Sequence, residues 1–322
     1  RTMAWNCKVY NVSNTAAVVG EKSAVQVGDQ IRCLLNADKQ ISVLYILTAS
    51  NHKENHKCDC CGETPMWLAW DGNTTITKSG HYVLNADITA LKGIEWNEDL
   101  NITLCLNGHK FTVNNRRVLG NVTGTMNIVD CVGSGSMHGT ANNNASITMG
   151  DGGVLNIYGG TYTAEEVTEE KNGGLFTIIG GGQINMYGGT ISGGKTNGYG
   201  GNVNISDGIF TMHGGTVQNG TSAEGQYGGN FALSGAKAQL IVNGGQILGG
   251  NSGSYGGNIA VAKTGAKLIV TGGKIENGTA ATHGGNICVA LGSVEITGGE
   301  ILGGSATRFG SSVSLVNDIV AT

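Results

Sequence analysis

The sequence predicts an all-β protein: a single-stranded, right-handed parallel β-helix of about nine coils with a small β cap at its N-terminus. Two observations lead to this prediction. A Gly-Gly-Asn motif recurs every 28 residues, and a second Gly-Gly motif follows short segments in which apolar residues alternate. Repetition at a period of about 20 to 50 residues is typical of folds built from stacked copies of one unit.

The first motif reads YGGNVNI, YGGNFAL, YGGNIAV and HGGNICV, and its asparagines are Asn202, Asn230, Asn258 and Asn286. A loop that binds one ligand has no reason to recur four times at one spacing, whereas a corner of a stacked coil does. Glycine pairs suit corners that need a positive φ or a close backbone approach. We therefore predict that the motif is a corner and that its amides form a ladder, each bonding the next.

The second motif reads LNIYGGTY, INMYGGTI, FTMHGGTV, LIVNGGQI, LIVTGGKI and VEITGGEI, and its copies are 26 to 30 residues apart. Alternation of apolar residues predicts strands with one buried face. Coils of this length, without a segment long enough for a helical crossover, predict a three-sided parallel β-helix whose coils stack at roughly 4.8 Å. Weaker upstream copies, such as SGHYVLNADIT, extend the prediction to about nine coils between residues 80 and 317.

The chain divides into three predicted parts. Residues 1–50 lack glycine pairs and contain two segments typical of antiparallel strands, which predicts a small β cap or the remnant of an Ig-like module. Residues 51–65 are a connector rich in histidine and cysteine, and residues 66–322 form the β-helix. A cap is expected because the open end of a solenoid exposes its core.

Composition argues against two classes of partner. The 322 residues carry a formal net charge of -4, which offers no electrostatic attraction for nucleic acid or an anionic membrane. No apolar run approaches the roughly 20 residues that span a bilayer. The sequence therefore predicts neither a nucleic-acid partner nor a membrane span in this chain.

The connector NHKENHKCDCCG contains the ligand types of a zinc site. His52 and His56 are four residues apart, and Cys58 and Cys61 form a Cys-x-x-Cys pair. Two imidazoles and two thiolates would complete a tetrahedral zinc site, and zinc is the only cofactor that the sequence suggests. The alternative is a disulfide or a loose linker, because both pairs are crowded together, Cys60 competes as a ligand, and an extracellular setting favours disulfides.

Several segments carry a resemblance to a known family. SGHYVLNADIT, ITLCLNGHKF and MNIVDC, followed by serial MYGGTISGG and YGGN repeats, resemble the pectate-lyase-like β-helix domains of large surface proteins of gut Gram-positive bacteria. The resemblance covers about residues 52–310. It implies the β-helix fold and an extracellular or cell-surface location. It also implies an alternative function, because some proteins of this fold are polysaccharide lyases or glycoside hydrolases.

A β-helix glycosidase would place two carboxylates roughly 5 to 9.5 Å apart on neighbouring coils. Lys274 and Glu300 share one position of the repeat a coil apart, which we interpret as a surface ion pair. The acids form no repeating or converging pair. The sequence therefore favours a non-catalytic extracellular module for adhesion or for binding a glycan or a surface partner. Cys105 and Cys131 lie in successive coils, which permits a bridge between them.

Aromatic residues precede the glycine pairs in both motifs and are the candidate ligand-binding residues. Because they recur with the coil, they are expected to stack about one rung apart along two columns. Rows of aromatic rings with polar tips suit the apolar faces of sugars, although rings that only cover glycine corners would repeat in the same way. The candidates are Tyr199, Tyr227, Tyr255 and His283 in one column, and Tyr158, Tyr187 and His213 in the other.

Overall fold

A computed structural model shows the all-β architecture that the sequence predicts, with no helix among the described residues. The structure describes residues 2–5, 8–19, 30–35, 38, 40–47, 67–114, 117–140, 145–166 and 173–316. From Trp67 to Leu315 the strands form three parallel sheets that stack along one axis. The prediction of a parallel β-solenoid is therefore confirmed.

The first sheet is the longest side of the solenoid and has thirteen strands. Most coils contribute one strand to it, whereas two coils in the middle of the stack, within residues 147–157 and 176–186, contribute two short strands each. Its strands are Trp67–Ala69, Gly80–Val83, Ile94–Cys105, Leu119–Val129, Ile147–Met149, Val154–Ile157, Phe176–Ile178, Gly182–Met186, Val203–Met212, Phe231–Val242, Ile259–Val270, Ile287–Ile296 and Val313–Leu315.

The second and third sheets complete the coil. The second sheet has nine strands, so the stack makes eight complete turns from its first strand to its last: Ile88–Ala90, Lys110–Val113, Ser136–Gly139, Thr161–Ala164, Thr190–Ser192, Thr216–Gln218, Gln246–Leu248, Lys274–Glu276 and Glu300–Leu302. The third sheet has five strands: Lys195–Thr196, Thr221–Glu224, Asn251–Gly253, Thr279–Ala280 and Ser305–Ala306.

The core is a single stack of apolar side chains inside the coils. In the first sheet Phe210 lies in register with Leu240, which lies in register with Leu268 and then Val294. The first three are fully buried, as are most inward residues of the other coils. One coil alone could not bury these side chains on both sides, so burial couples each coil to its neighbours.

Two glycines in each Gly-Gly-Asn corner have separate steric roles. Gly256 has a φ of 70°, and a Cβ there would lie 2.4 Å from the carbonyl oxygen of Ile259. At Gly257 a Cβ would lie 2.1 Å from the carbonyl oxygen of Gly285 in the next coil. The first glycine turns the chain back on itself, and the second lets neighbouring coils approach closely.

The predicted asparagine ladder is present and fully buried. Asn202, Asn230 and Asn258 each donate a side-chain Nδ2–H to the Oδ1 of the next asparagine, at 2.6, 2.7 and 2.7 Å. Each amide oxygen of the ladder also accepts a backbone N–H, as Asn258 Oδ1 does from Gly250. The ladder therefore satisfies the polar groups that the corner turns inward.

The N-terminal strands form a separate four-stranded sheet. Its strands are Thr2–Trp5, Lys8–Val19, Gln30–Leu35 and Ile41–Leu47. The last two pair antiparallel, as their sequences predict, whereas Lys8–Val19 and Ile41–Leu47 pair parallel. Its role as a cap stays a prediction, and the connector 51–65 lies outside the described residues.

Candidate ligand-binding face

The first ring column consists of Tyr158, Tyr187 and His213, which stand at the corner between the first and second sheets. Each ring follows the end of a strand of the first sheet and precedes a glycine pair. The centroids of Tyr158 and Tyr187 are 4.8 Å apart with 8° between the ring planes, and those of Tyr187 and His213 are 4.7 Å apart with 4°. The predicted stacking of this column is therefore confirmed.

The second ring column stands at the corner between the third and first sheets. Tyr199 and Tyr227 stack at 4.2 Å and Tyr227 and Tyr255 at 4.8 Å, and Tyr255 and His283 form a parallel bridge. The structure adds Phe309, which stacks on His283 at 5.5 Å. The sequence had not singled out Phe309 because the motif has decayed there to Phe-Gly-Ser-Ser, although the Phe-Gly pair was a usable signal.

The rings in both columns turn their faces toward one another and their edges toward solvent. Tyr187, for example, has a parallel ring on each side. At a rung spacing of roughly 4.8 Å, flat stacking is the arrangement that fits one ring on every coil. A sugar therefore meets ring edges and polar tips along most of each column, because the faces of the inner rings are already occupied.

A row of amides runs beside the first ring column on the outer surface of the first sheet. Asn127 Nδ2 donates to Asn101 Oδ1 at 3.1 Å, Asn156 to Asn127 at 2.8 Å, and Asn185 to Asn156 at 2.9 Å. Asn156 and Asn185 precede Tyr158 and Tyr187 by two residues and so share their side of the strand. The sequence carried a usable signal for this row of amides, namely the asparagine that recurs in MNIV, LNIY and INMY.

The two ring columns differ in exposure and in their surroundings. Tyr187 is 44% exposed and His213 is also exposed. In the second column Tyr227 and Tyr255 are half-buried, and the outward positions on the strands after them are the fully buried Ala232 and Ala260. The first column is therefore the more accessible of the two, and it has a polar row beside it. We call the first ring column and the amide row together the ring–amide face.

Burial raises the pKa values of two tyrosines in the second column. It raises the pKa of Tyr255 to about 12, with smaller contributions from the nearby Cys288 and Tyr199. Burial also raises the pKa of Tyr227, and the hydrogen bond between its phenol and that of Tyr199 adds to this effect. These phenols are held neutral in the folded protein, which fits a role in packing the corner.

The raised pKa of Tyr255 predicts a loss of stability in alkali. A phenol titrates near pH 10 when unfolded, so the contribution of neutral Tyr255 is complete below about pH 10 and is lost as the pH rises through about 12. We expect the melting temperature to fall over this range, and to fall less in Tyr255→Phe, which keeps the ring but cannot ionise. Equal losses in both proteins would show that Tyr255 does not cause the fall.

Charged side chains on the outer surface pair across neighbouring coils. Lys274 Nζ lies 3.3 Å from Glu300 Oε2, as the sequence predicts. Lys267 Nζ likewise lies 3.1 Å from Glu295 Oε2. Both pairs are well exposed, so each contributes little to stability.

The candidate zinc ligands His52, His56, Cys58 and Cys61 lie outside the described residues, so the zinc site stays a prediction. Within the described ranges no group of three or more His, Cys, Asp or Glu side chains could hold a metal ion. The described ranges also contain no helix that is long and apolar enough to cross a membrane.

A cavity of about 490 Å³ lies beside the first coils and was not anticipated from the sequence. Trp70, Ile76 and Trp96 line its apolar part, and Lys92 Nζ donates to Thr75 Oγ1 at 2.7 Å at its polar side. Both indoles are less than a tenth exposed, and each donates its Nε1–H to a backbone carbonyl. The cavity therefore presents little aromatic surface to a ligand.

Comparison of the chain with protein-family models, with curated proteins and with solved structures gave no match. The β-solenoid architecture is established by the strand stacking itself.

Proposed function

We propose that this chain is a non-catalytic extracellular module that binds a glycan along its ring–amide face. The observation that supports the proposal best is the pairing of an exposed, parallel ring stack with an ordered row of side-chain amides on one side of the solenoid. The resemblance of the repeat motifs to β-helix domains of bacterial surface proteins supports the extracellular location.

The chemistry of the face suits carbohydrate hydroxyls. An asparagine amide offers both donors and an acceptor, and the phenol and imidazole tips of the ring column can also donate or accept. The chain of amide hydrogen bonds fixes the orientation of each asparagine before a ligand arrives, which reduces the entropy lost on binding. The ring edges of Tyr158, Tyr187 and His213 add apolar contact area beside these groups.

The repeat of the face suits a linear polysaccharide. Equivalent groups recur at roughly 4.8 Å along the solenoid axis, so two rungs span roughly 10 Å. This distance is close to the length of one extended disaccharide unit. A chain lying parallel to the axis would meet similar groups at each disaccharide, and several weak contacts would add up through multivalency.

The test is a glycan array followed by titration of the polysaccharide that binds, comparing the wild-type protein with a Tyr187→Ala/His213→Ala variant. These side chains are exposed, so we expect the variant to keep its melting temperature within a few degrees and to lose about tenfold or more in affinity. A folded variant that binds as tightly as the wild type would exclude this face.

The matched comparison is Tyr227→Ala/Tyr255→Ala in the second column. It also removes two stacked rings, but these rings are half-buried, so we expect a lower melting temperature and unchanged binding in the folded protein. Loss of binding in this variant alone would move the site to the second column. A reducing-sugar assay on the same polysaccharide tests the alternative enzymatic function, and release of new reducing ends would contradict a non-catalytic role.

A further inference from the structure

Two cysteines of neighbouring coils meet on the outward side of the first sheet. Cys105 ends the strand Ile94–Cys105, and its side chain is fully buried in a small cluster with Trp67, Val83 and Val129. Cys131 follows the strand of the next coil by two residues and is partly exposed. The two Sγ atoms share a hydrogen bond at 3.0 Å.

The turn after Val129 places Cys131 over Cys105. The carboxylate of Asp130 accepts the backbone N–H of Gly108 at 2.8 Å and that of Gly135 at 2.6 Å. The first contact ties the turn to the neighbouring coil, and the second closes the turn on itself. These two hydrogen bonds therefore fix the turn that carries Cys131 against the coil that carries Cys105, which keeps the two thiols in contact.

We propose that Cys131 and Cys105 form a thiol–disulfide exchange site that reacts with small disulfides of the glutathione type and ends as a disulfide between the two coils. In the first step the thiolate of Cys131 attacks one sulfur of the small disulfide and releases one small thiolate. In the second step the thiolate of Cys105 attacks Sγ of Cys131 and releases the second small thiolate. The two cysteine protons pass to the two released thiolates, and the protein loses two hydrogens.

Exposure fixes the order of these steps. Only Cys131 can be reached from solvent, because Cys105 has no exposed surface. Cys105 then needs only to attack Sγ of Cys131, which already lies 3.0 Å from its own Sγ. In the reduced pair the hydrogen bond with the Cys131 thiol lowers the pKa of Cys105, and the backbone N–H groups of Cys131 and Asn107 lower it further. These backbone contacts do not need the Cys131 proton, so they still favour the Cys105 thiolate after Cys131 has reacted.

Another cysteine of the solenoid, Cys288, offers an internal contrast. Cys288 is fully buried, and burial raises the pKa of its thiol to about 12. Its own sulfur does not face solvent. Within the described coils no accessible thiol lies beside it that could react first with the small disulfide. It should therefore stay reduced under the same treatment.

The experiment starts from fully reduced protein, which is exposed to oxidised glutathione while folded, then unfolded in denaturant and alkylated, and finally digested with trypsin without reduction. Peptide 93–110 carries Cys105 and peptide 118–171 carries Cys131, so their linkage is read directly by mass. We expect the linked pair, lighter than the two free peptides by two hydrogens. We also expect an alkylated peptide 275–308, which carries Cys288. The melting temperature should rise by several degrees, because the link closes a loop between two coils.

Two variants test the order of attack. Cys105→Ser should stop after the first step and accumulate glutathione on Cys131, whereas Cys131→Ser should leave Cys105 unmodified and alkylated only after unfolding. Recovery of both cysteines as alkylated thiols, in wild-type protein that stayed folded throughout the glutathione treatment, would overturn the proposal. So would glutathione on Cys105 in the Cys131→Ser variant. None of these readouts depends on glycan binding, so failure here and failure of the proposed function are distinguishable.

Discussion

Asn258→Ala should lower the free energy of unfolding by roughly 2 to 5 kcal/mol. Asn258 Nδ2 donates to the carbonyl oxygen of Glu276 at 2.9 Å and to Asn286 Oδ1 at 2.7 Å. Its Oδ1 accepts from Gly250 N at 2.9 Å and from Asn230 Nδ2 at 2.7 Å. Alanine leaves the last two donors without this acceptor inside the protein, and buried donors without partners are costly.

The matched control is Asn243→Ala in the neighbouring coil. Asn243 is exposed, and its Oδ1 accepts a hydrogen bond from the Thr271 hydroxyl at the surface. We expect a change within about 0.5 kcal/mol for this variant, as for most surface substitutions. Denaturant unfolding followed by circular dichroism measures both variants. Equal losses of stability in the two would show that the buried ladder contributes no more than a surface amide.

Gly257→Ala should cost about 2 to 4 kcal/mol, because the new Cβ meets backbone rather than flexible side chains. It would lie 2.1 Å from the carbonyl oxygen of Gly285 and 2.3 Å from the nitrogen of Thr279. Both atoms are backbone atoms: Gly285 lies in the glycine corner of the neighbouring coil, and Thr279 lies in the strand Thr279–Ala280 of the adjoining third sheet. The methyl group can fit only if the coils separate, which would also stretch the asparagine ladder beside it.

Gly150→Ala is the control for Gly257→Ala. Neither position has a positive φ, but the Cβ added at Gly150 would first meet the Cγ1 of Ile179 at 3.1 Å, and that side chain is 42% exposed and can move. We expect a change within about 0.5 kcal/mol for this variant. If the Gly150 and Gly257 variants gave similar unfolding curves, a glycine at position 257 would not be needed for the close approach of neighbouring coils.

Periodicity made much of this fold predictable because parallel stacking places residues one coil apart directly above one another. The spacing of 28 between Asn230 and Asn258 was therefore enough to predict that their amides touch. The same reasoning predicted the stacking of Tyr187 on its neighbours and the ion pair of Lys274 with Glu300. In each case the repeat spacing identifies the residue that lies one coil away along the solenoid axis.

Neighbours across the surface were harder to predict, because they depend on the path of the backbone between strands. The sequence determined the strands, the glycine corners, the asparagine ladder and every member of the ring columns except Phe309. Only the tertiary structure decided that Tyr187 is exposed whereas Tyr255 is half-buried, and that the turn held by Asp130 folds Cys131 over Cys105. The physical reason is that repetition fixes contacts along the axis, whereas burial at a corner depends on how each turn folds over the strand that follows it.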